Sequence, residues 1–571
     1  MMKRSRCPLF LLGLFTVLIF YCPFVFAVQQ DSASPIKVVV VSGSNYEMGV
    51  QYGEQAAGLI EANRDATWDL LNTKIKYTDQ SGEHFLKHDD IIKDIKVWTY
   101  YIEKYDPKLV EWLNGISAGC LKKGVKISYV DLVALMVLPQ ELWARPASPY
   151  PAETGVAALA PEKNFFKPVR ERTDTRAVAS CTAFAATGSA TRNDPMVSLT
   201  LGFIPEITQY IILFAYPAEG EPFVSLTMAG KVTNNTGMNS HFAWVMTAAV
   251  THPATPCAST WGVNSEVYHH YLQQYCKSPK DAMNFLDSTP PGGVTGIFLF
   301  ADKSGEAFAY EVGACKSAVR KPGDLGEPTD FVATANNYNG GEMKPFAIPA
   351  EWFADTYIRY ATLYQKLSKA KPGDIGLDFA KACWLSNDWF DAVNNAWKTV
   401  SVPNDPDNLE TCNVPGNNCE GGESQVIQFP KQKTVYLQPG GPHGTSIKNY
   451  WPPKSPLNPK PTGEYTKWQL LKSIDETARA ASTDTIEMLK KASNSLEQQG
   501  KALDVKNKAE LEELLKKAKE AWHRAEKITA GNSGRNQAAF NHQWGSVYTD
   551  YATAQLFSQM VSTRLIALSK N

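Results

Sequence analysis

Residues 177–196 read "AVASCTAFAATGSATRNDPM". An apolar run opens at Cys181 and Thr182 and closes in a cluster of Gly, Ser, Asn, Asp and Pro, the pattern of a strand ended by a turn. Residues 146–176 stand just before it and are rich in Pro, Ala and charge ("PASPYPAETG", then "RERTDTR"), which predicts a linker or exposed loop. A thiol at the head of a strand, after such a loop, can attack the carbonyl of the peptide bond preceding it. Hydrolysis of the resulting thioester would leave Cys181 as a new chain N-terminus. Its free α-amine, with a pKa near ~8, could then serve the adjacent thiol as general base without a histidine. Two plainer readings compete: a buried small hydrophobe or disulfide partner, and a papain-like Cys–His pair, whose local signature is missing around Cys181.

The strand pattern continues outward from this point. "PMVSLTLGF", "QYIILFAYP", "PFVSLTMAG" and "FAWVMTAAV" are β-rich runs parted by Gly, Pro or Asn, up to about residue 250. A helix at about 263–287 interrupts them. "GIFLFADKSGEAFAYEVG" reads as a hairpin turning at Lys303–Gly305, and residues 424–438 as another. Upstream, residues 36–62 predict a strand, a Gly-Ser-Asn turn and a helix capped by Ser44 or Asn45. Helix is expected from there to about residue 140. Pro-rich "YWPPKSPLNPKPTGEY" marks a boundary near 450–465, and 466–571 reads as a helical extension with oppositely charged helical neighbours. Many strands flanked by helices predict a layered α+β body.

The bulk composition agrees with a large globular chain. Of 571 residues, 44% are hydrophobic and 20% charged, and the 57 basic and 58 acidic residues nearly cancel. That balance makes no electrostatic case for nucleic acid or an anionic membrane as partner. Residues 1–27 read as a secretory signal: basic "MMKRSR", apolar "PLFLLGLFTVLIFYCPFVFA", and small Ala27 at the cleavage edge. Pro23 and the polar "VQQDSAS" disfavour the competing reading of an uncleaved anchor. A secreted or periplasmic (extracytoplasmic) protein, away from the membrane once the signal is removed, is the expectation.

Eight cysteines remain after signal removal: Cys120, Cys181, Cys257, Cys276, Cys315, Cys383, Cys412 and Cys419. Export favours some pairing, and "CNVPGNNC" makes Cys412–Cys419 the best local candidate. No CxxC or HExxH spacing suggests a metal, and no cofactor is expected. The adjacent His269 and His270 point to different faces of a helix, and solvated surface is the expected fate of both.

The segment "SCTAFAATGSATRND" resembles the nucleophile segment of N-terminal-nucleophile (Ntn) hydrolases. More narrowly, it resembles the acyl-coenzyme A:6-aminopenicillanic acid acyltransferase family of self-cleaving cysteine peptidases. "VSGSNYEMGVQYGEQAAGLI", "LNGISAGCLKKGVKISYVDLVAL", "TNNTGMNSHFAWV", "GIFLFADKSGEAFAYEVG" and "VATANNYN" are similar to further motifs of that family in the same order, over residues 36–440. The resemblance implies a four-layer αββα sandwich made by autoproteolysis between Ser180 and Cys181. It divides the chain into a prosegment at 28–180, a β chain at 181–450 and the extension at 466–571. The two self-cleaved chains would stay associated. Cys181 becomes the nucleophile, and Asn336, with Asn337 as the register alternative, an oxyanion donor. Asn239 in "GMNS" reads as a hairpin-turn residue. The sequence departs from the family where a "G-x-N-x-D" segment usually follows the nucleophile strand. "SLTLGF" stands there instead, and no residue is assigned to orient the Cys181 amine. His241 and Phe242 also replace a small-Gly pair.

The expected function is cleavage of a linear amide, or transfer of its acyl group, through a Cys181 thioester. The substrate would be a small acylated amine or peptide. Alternatives are a related dipeptidase-like or phospholipase B-like Ntn hydrolase, and a non-catalytic exported binding protein on the same scaffold.

Overall fold

A computed structural model describes residues 36–73, 76–79, 82–85, 88–144, 150–156, 180–202, 209–252, 255–257, 260–290, 295–351, 353–401, 424–439, 464–531 and 537–569. The signal segment and the expected Cys412–Cys419 pair lie outside the described residues. In chain order the elements are β1 (Lys37–Gly43), α1 (Asn45–Thr73), β2 (Lys76–Asp79), β3 (Gly82–Phe85), α2 (His88–Tyr105), α3 (Pro107–Lys122) and α4 (Tyr129–Ala144). Next come β4 (Ser180–Ala186), β5 (Met196–Gly202), β6 (Tyr210–Pro217), β7 (Phe223–Met228), β8 (Thr236–Asn239), β9 (Phe242–Ala248), α5 (Ser265–Tyr275) and α6 (Pro279–Ser288). They are followed by β10 (Gly296–Asp302), β11 (Ala307–Val312), β12 (Ser317–Arg320), β13 (Phe331–Thr334), α7 (Ala354–Ser368), α8 (Leu377–Leu385), β14 (Asp388–Asp391) and β15 (Ala396–Thr399). The chain finishes with β16 (Ser424–Phe429), β17 (Thr434–Pro439), β18 (Thr466–Gln469), α9 (Ile474–Gln499), α10 (Val505–Gly531) and α11 (Gln537–Ser569).

Two large sheets carry the architecture, a mixed α+β body. Sheet 1 has eight strands in the order β1-β6-β7-β8-β9-β10-β11-β12, and sheet 2 has six in the order β13-β4-β5-β16-β17-β18. Every neighbouring pair is antiparallel except β1 and β6. β5, β7, β9, β11 and β16 are buried along their whole length, because both faces of each are covered. This is why β5, β7, β9 and β11 read as largely apolar runs, whereas β16 buries Ser424, Gln425 and Gln428 as well. The strand period sorts β4 cleanly: Cys181, Ala183 and Ala185 join the core shared with sheet 1. Phe184 and Ala186 face Leu363 and Leu367 of α7 and Trp384 of α8.

Helices α1 and α3 meet backbone to backbone. A Cβ on Gly115 would stand 2.2 Å from the Tyr46 carbonyl oxygen, and one on Gly49 2.3 Å from that of Trp112. Only glycine permits that approach. Ser44 and Glu47 form a capping box at the start of α1: Ser44 N–H donates to Glu47 Oε2 at 2.9 Å, and Glu47 N–H to Ser44 Oγ at 3.3 Å.

One outer edge of each sheet is closed by side chains rather than by a strand. On β1, Thr549 Oγ1 meets both backbone groups of Val38, Gln55 those of Val40, and Gln51 those of Ser42. On the far edge of sheet 2, Gln555 of α11 does the same for Lys467, and Gln559 for Tyr465. A helix thus supplies the hydrogen bonds that a further strand would give, and the two edges are not left as templates. Residues 466–469 enter this scheme as a strand, although the sequence reads as helix from there.

Two other expectations are corrected. The helix expected at 263–287 is two, α5 and α6, because Ser278 caps and Pro279 starts a new one. His269 and His270 are fully buried instead of solvated. The reason is that α5 is covered on both flanks: His269 lies against Trp244 of β9, with ring centroids 4.8 Å apart. His270 Nδ1 lies 2.5 Å from Asp106 Oδ2, the N-cap of α3. One disulfide is present among the described residues, Cys257–Cys315. Cys120, Cys181, Cys276 and Cys383 carry thiols.

Candidate active site

Cys181 is the second residue of β4 and is wholly buried. Ser180 and Cys181 both lie in the ladder with β5, opposite Gly202 and Leu201. On the other side, β13 pairs with β4 as far as Thr334–Ala183. Two residues further along this ladder Asn336 comes level with Cys181. Its Oδ1 accepts the backbone N–H of Cys181 at 3.0 Å, and its Nδ2 donates to Ala248 O, at the end of β9, at 2.8 Å. The orientation of the amide follows from its neighbours: two donors converge on Oδ1 and a carbonyl faces Nδ2. The side-chain oxygen, not the amide nitrogen, therefore faces Cys181.

The second donor to Oδ1 is Arg359 of α7, whose Nη2 lies 2.9 Å away. The same guanidinium donates through Nη1 to Cys181 O at 2.5 Å and to Thr182 Oγ1 at 2.9 Å. Arg359 is fully buried, and a buried cation requires a counter-charge. Asp355, one turn earlier on α7, provides it, with Oδ2 2.9 Å from Nε. Thr356 adds a third contact from this turn: its Oγ1 accepts Asn336 N–H at 2.6 Å and donates to Asn337 Oδ1 at 2.9 Å. Asn337 is thus turned toward α7, while Asn336 is turned toward Cys181.

The loop carrying both asparagines is pinned from sheet 1. Glu311 of β11 accepts from Asn339 N at 3.2 Å and from Gly340 N at 3.0 Å, and is itself held by Arg320 Nε at 3.1 Å. Arg320 also donates to Ala333 O at 2.7 Å, in the strand leading into the loop. Asn239 lies elsewhere. Its Oδ1 accepts His241 and Phe242 N–H, and its Nδ2 donates to Gln273 O and Cys276 O, so it ties the β8–β9 turn to α5.

The structure thus brings Cys181 and Asn336 together and adds Arg359, Asp355 and Thr356, which the sequence reading did not single out. The Asp355-to-Arg359 spacing is visible in "ADTYIRY", yet it is the spacing of any helical surface ion pair. Among the described residues no group of three His, Cys, Asp or Glu side chains could hold a metal ion.

No protein-family model matches the sequence, and no curated protein does. Among solved structures, the chain has a low similarity to a variant of conjugated bile acid hydrolase from Clostridium perfringens. The TM-score is 0.22 at 10% sequence identity, over 47% of this chain and 83% of that one.

Proposed function

We propose that the protein is an exported, self-processing Ntn-type cysteine hydrolase that cleaves, or transfers the acyl group of, a linear amide through Cys181. One observation carries the reading. The polar network of the site converges on the backbone nitrogen and carbonyl of Cys181, groups that in an ordinary strand need only their ladder partners. A built receptor for that nitrogen is what a catalytic α-amine would need. On this reading the Ser180–Cys181 bond is cut and Asn336 Oδ1 keeps the freed amine in line with its own thiol. That is the orienting group for which the family-like sequence offered no acidic residue. Arg359, beside the same oxygen, disfavours the ammonium form and so keeps the amine unprotonated, able to accept the thiol proton, at neutral pH.

The proposed reaction then runs through this chain's own groups. The amine takes the thiol proton as Sγ attacks the acyl carbon. The leaving amine takes that proton, and water or a second amine resolves the thioester. Small N-acylated amines or peptides are the proposed substrate class. Helices outside two facing sheets accord with the four-layer αββα arrangement. The pairing of β1 with β6 would hold residues 28–180 to the rest after the cut.

The test is intact mass and N-terminal sequencing of the full chain from a secretory host, with turnover on a panel of N-acyl amines and peptides. Two associated fragments, one starting at Cys181, and loss of both cutting and turnover in Cys181→Ala are expected. An uncut wild-type chain, indistinguishable from Cys181→Ala on the panel, would overturn the proposal in favour of a binding protein.

A further inference from the structure

We infer that Asn234 and Thr247 form the oxyanion pocket of this site, facing the Cys181 thiol from the opposite sheet. The inference rests on the reading of Cys181 as nucleophile. It names donors that the reading lacks, since the Asn336 amide nitrogen is taken up by Ala248 O.

The loop between β7 and β8 is held at almost every residue. Tyr52 Oη accepts Gly230 N–H and donates to Lys231 O, each at 2.9 Å. Glu266 of α5 takes Lys231 Nζ at 2.9 Å and Thr233 Oγ1 at 3.1 Å. Asn235 accepts Met246 N–H at 2.8 Å and returns its side-chain amide to Met246 O at 3.1 Å. Asn234 stands amid these contacts, 3% exposed, with no hydrogen bond to its Nδ2. Thr247 is 0% exposed, and its Oγ1 likewise has none. Leaving a buried polar atom unpaired is costly, and here two hydrogen-bonding groups lie on facing residues with capacity to spare for a ligand.

Register and strand period place both toward Cys181. Thr236 pairs with Val245 and Met246 N–H bonds Asn235 O, which sets Asn234 opposite Thr247. Thr233 turns to α5 through Glu266, and Thr236 turns to sheet 2, where Gln428 donates to its Oγ1 at 2.8 Å. Asn234 lies two residues from Thr236 and shares its face. Met246 turns to α5, with Sδ 3.0 Å from His269 Nε2, so Thr247 looks toward sheet 2. From sheet 2, Thr182 turns to Arg359 and Cys181 therefore looks back toward sheet 1. Asn336 fixes the approach by joining Cys181 N to the carbonyl of Ala248, the residue after Thr247.

The chemistry suits an acyl carbonyl. As Sγ bonds to the acyl carbon, the carbonyl π pair moves onto oxygen, and an amide N–H and a hydroxyl receive it without a net charge of their own. When the pair returns, the C–N bond breaks, and the amine departs with the proton that the Cys181 amine took from the thiol.

Asn234→Ala, the isosteric Asn234→Asp and Thr247→Val test this, each against wild type in the same assay. For the Asn234 variants kcat should fall about 100- to 1000-fold with KM nearly unchanged, and less for Thr247→Val. Iodoacetamide should alkylate Cys181 at the wild-type rate, and the fragment starting at Cys181 should still form. If all three variants keep kcat within about twofold of an active wild type, the inference is overturned while the nucleophile reading stands. Loss of that fragment in Asn234→Asp also overturns it, since Asn234 would then serve the self-cleavage instead. An uncut, inactive wild-type chain defeats the nucleophile reading itself.

Discussion

Arg359 Nη2 donates to Asn336 Oδ1 at 2.9 Å, and that one oxygen also receives the Cys181 N–H. The guanidinium therefore acts on the nucleophile's nitrogen through a shared acceptor and through its charge. Replacing it by Met removes the charge and four hydrogen bonds. With the cation gone, an amine at Cys181 should titrate higher, so the acid limb of the kcat/KM profile moves to higher pH. Arg359→Lys keeps the charge and should hold the limb near wild type while losing rate, because an ammonium lacks the planar fork that reaches Cys181 O, Thr182 and Asn336 together. Identical acid limbs in wild type and Arg359→Met would remove the guanidinium from this role.

Gly115 and Tyr46 make a second, purely steric prediction. A Cβ at 2.2 Å from the Tyr46 carbonyl cannot be accommodated by rotating a side chain, because the obstacle is backbone. Gly115→Ala should destabilise by about 1–3 kcal/mol through forced separation of α1 and α3. Gly58, also on α1, has open space at its Cβ position, so Gly58→Ala should be neutral or mildly stabilising. Denaturant midpoints of the two variants check this directly. Equal effects would show that helix propensity, not close approach, governs both positions.

The contrast between strands and site residues shows what the sequence carries. The runs around β4, β5, β6, β7 and β9 were legible because strands covered on both faces are largely apolar and end at Gly, Pro or Asn. Strand β18 was not: "TKWQ" has four residues, and only its pairing with β17 and the glutamines of α11 make it a strand. Cys181 could be singled out by its place at the head of a strand, and Asn336 by resemblance. Arg359 was invisible because nothing local separates it from a solvated helical arginine. Only the packing of α7 on β4 buries it. The histidines failed for the same reason, as burial of α5 between β9 and α3 is a tertiary fact.

Glu266 and His269 predict an acid sensitivity of the loop that carries Asn234. Burial pushes Glu266 up, but Lys231 and His269 more than offset it, and its carboxyl ends below the ordinary value of 4.5. Burial also holds His269 below its ordinary 6.5, against the raising effect of Glu266. Both native pKa values are depressed, so the unfolded chain binds these protons more readily and stability is lost as pH falls. The histidine contribution is present above 6.5 and declines below it, and the Glu266 contribution declines only below 4.5. Amide exchange in residues 230–235 should quicken as pH drops from about 7 to about 5, after correction for intrinsic rates, and less so in His269→Phe. A slope unchanged by that substitution would exclude the histidine as the sensor.

Helix α11 makes the last prediction, because it closes an edge of each sheet. Gln555 satisfies both backbone groups of Lys467, Gln559 both of Tyr465, and Thr549 both of Val38. Gln555→Leu and Gln559→Leu keep helix propensity and bulk but leave four β-edge groups without partners, at about 1–3 kcal/mol for each one that stays buried. Melting temperature should fall in the double variant by more than in either single one. The uncovered edge should also raise the fraction of higher oligomers in size-exclusion chromatography. Thr549→Val is nearly isosteric and acts on β1, which precedes Cys181 in the chain. If the chain is cut there, this variant should make the two fragments separate at lower denaturant than wild type, with the Gln555 variant nearer to wild type. Separation at the same denaturant in all three would mean that the β1–β6 ladder, and not the helix, holds the fragments together.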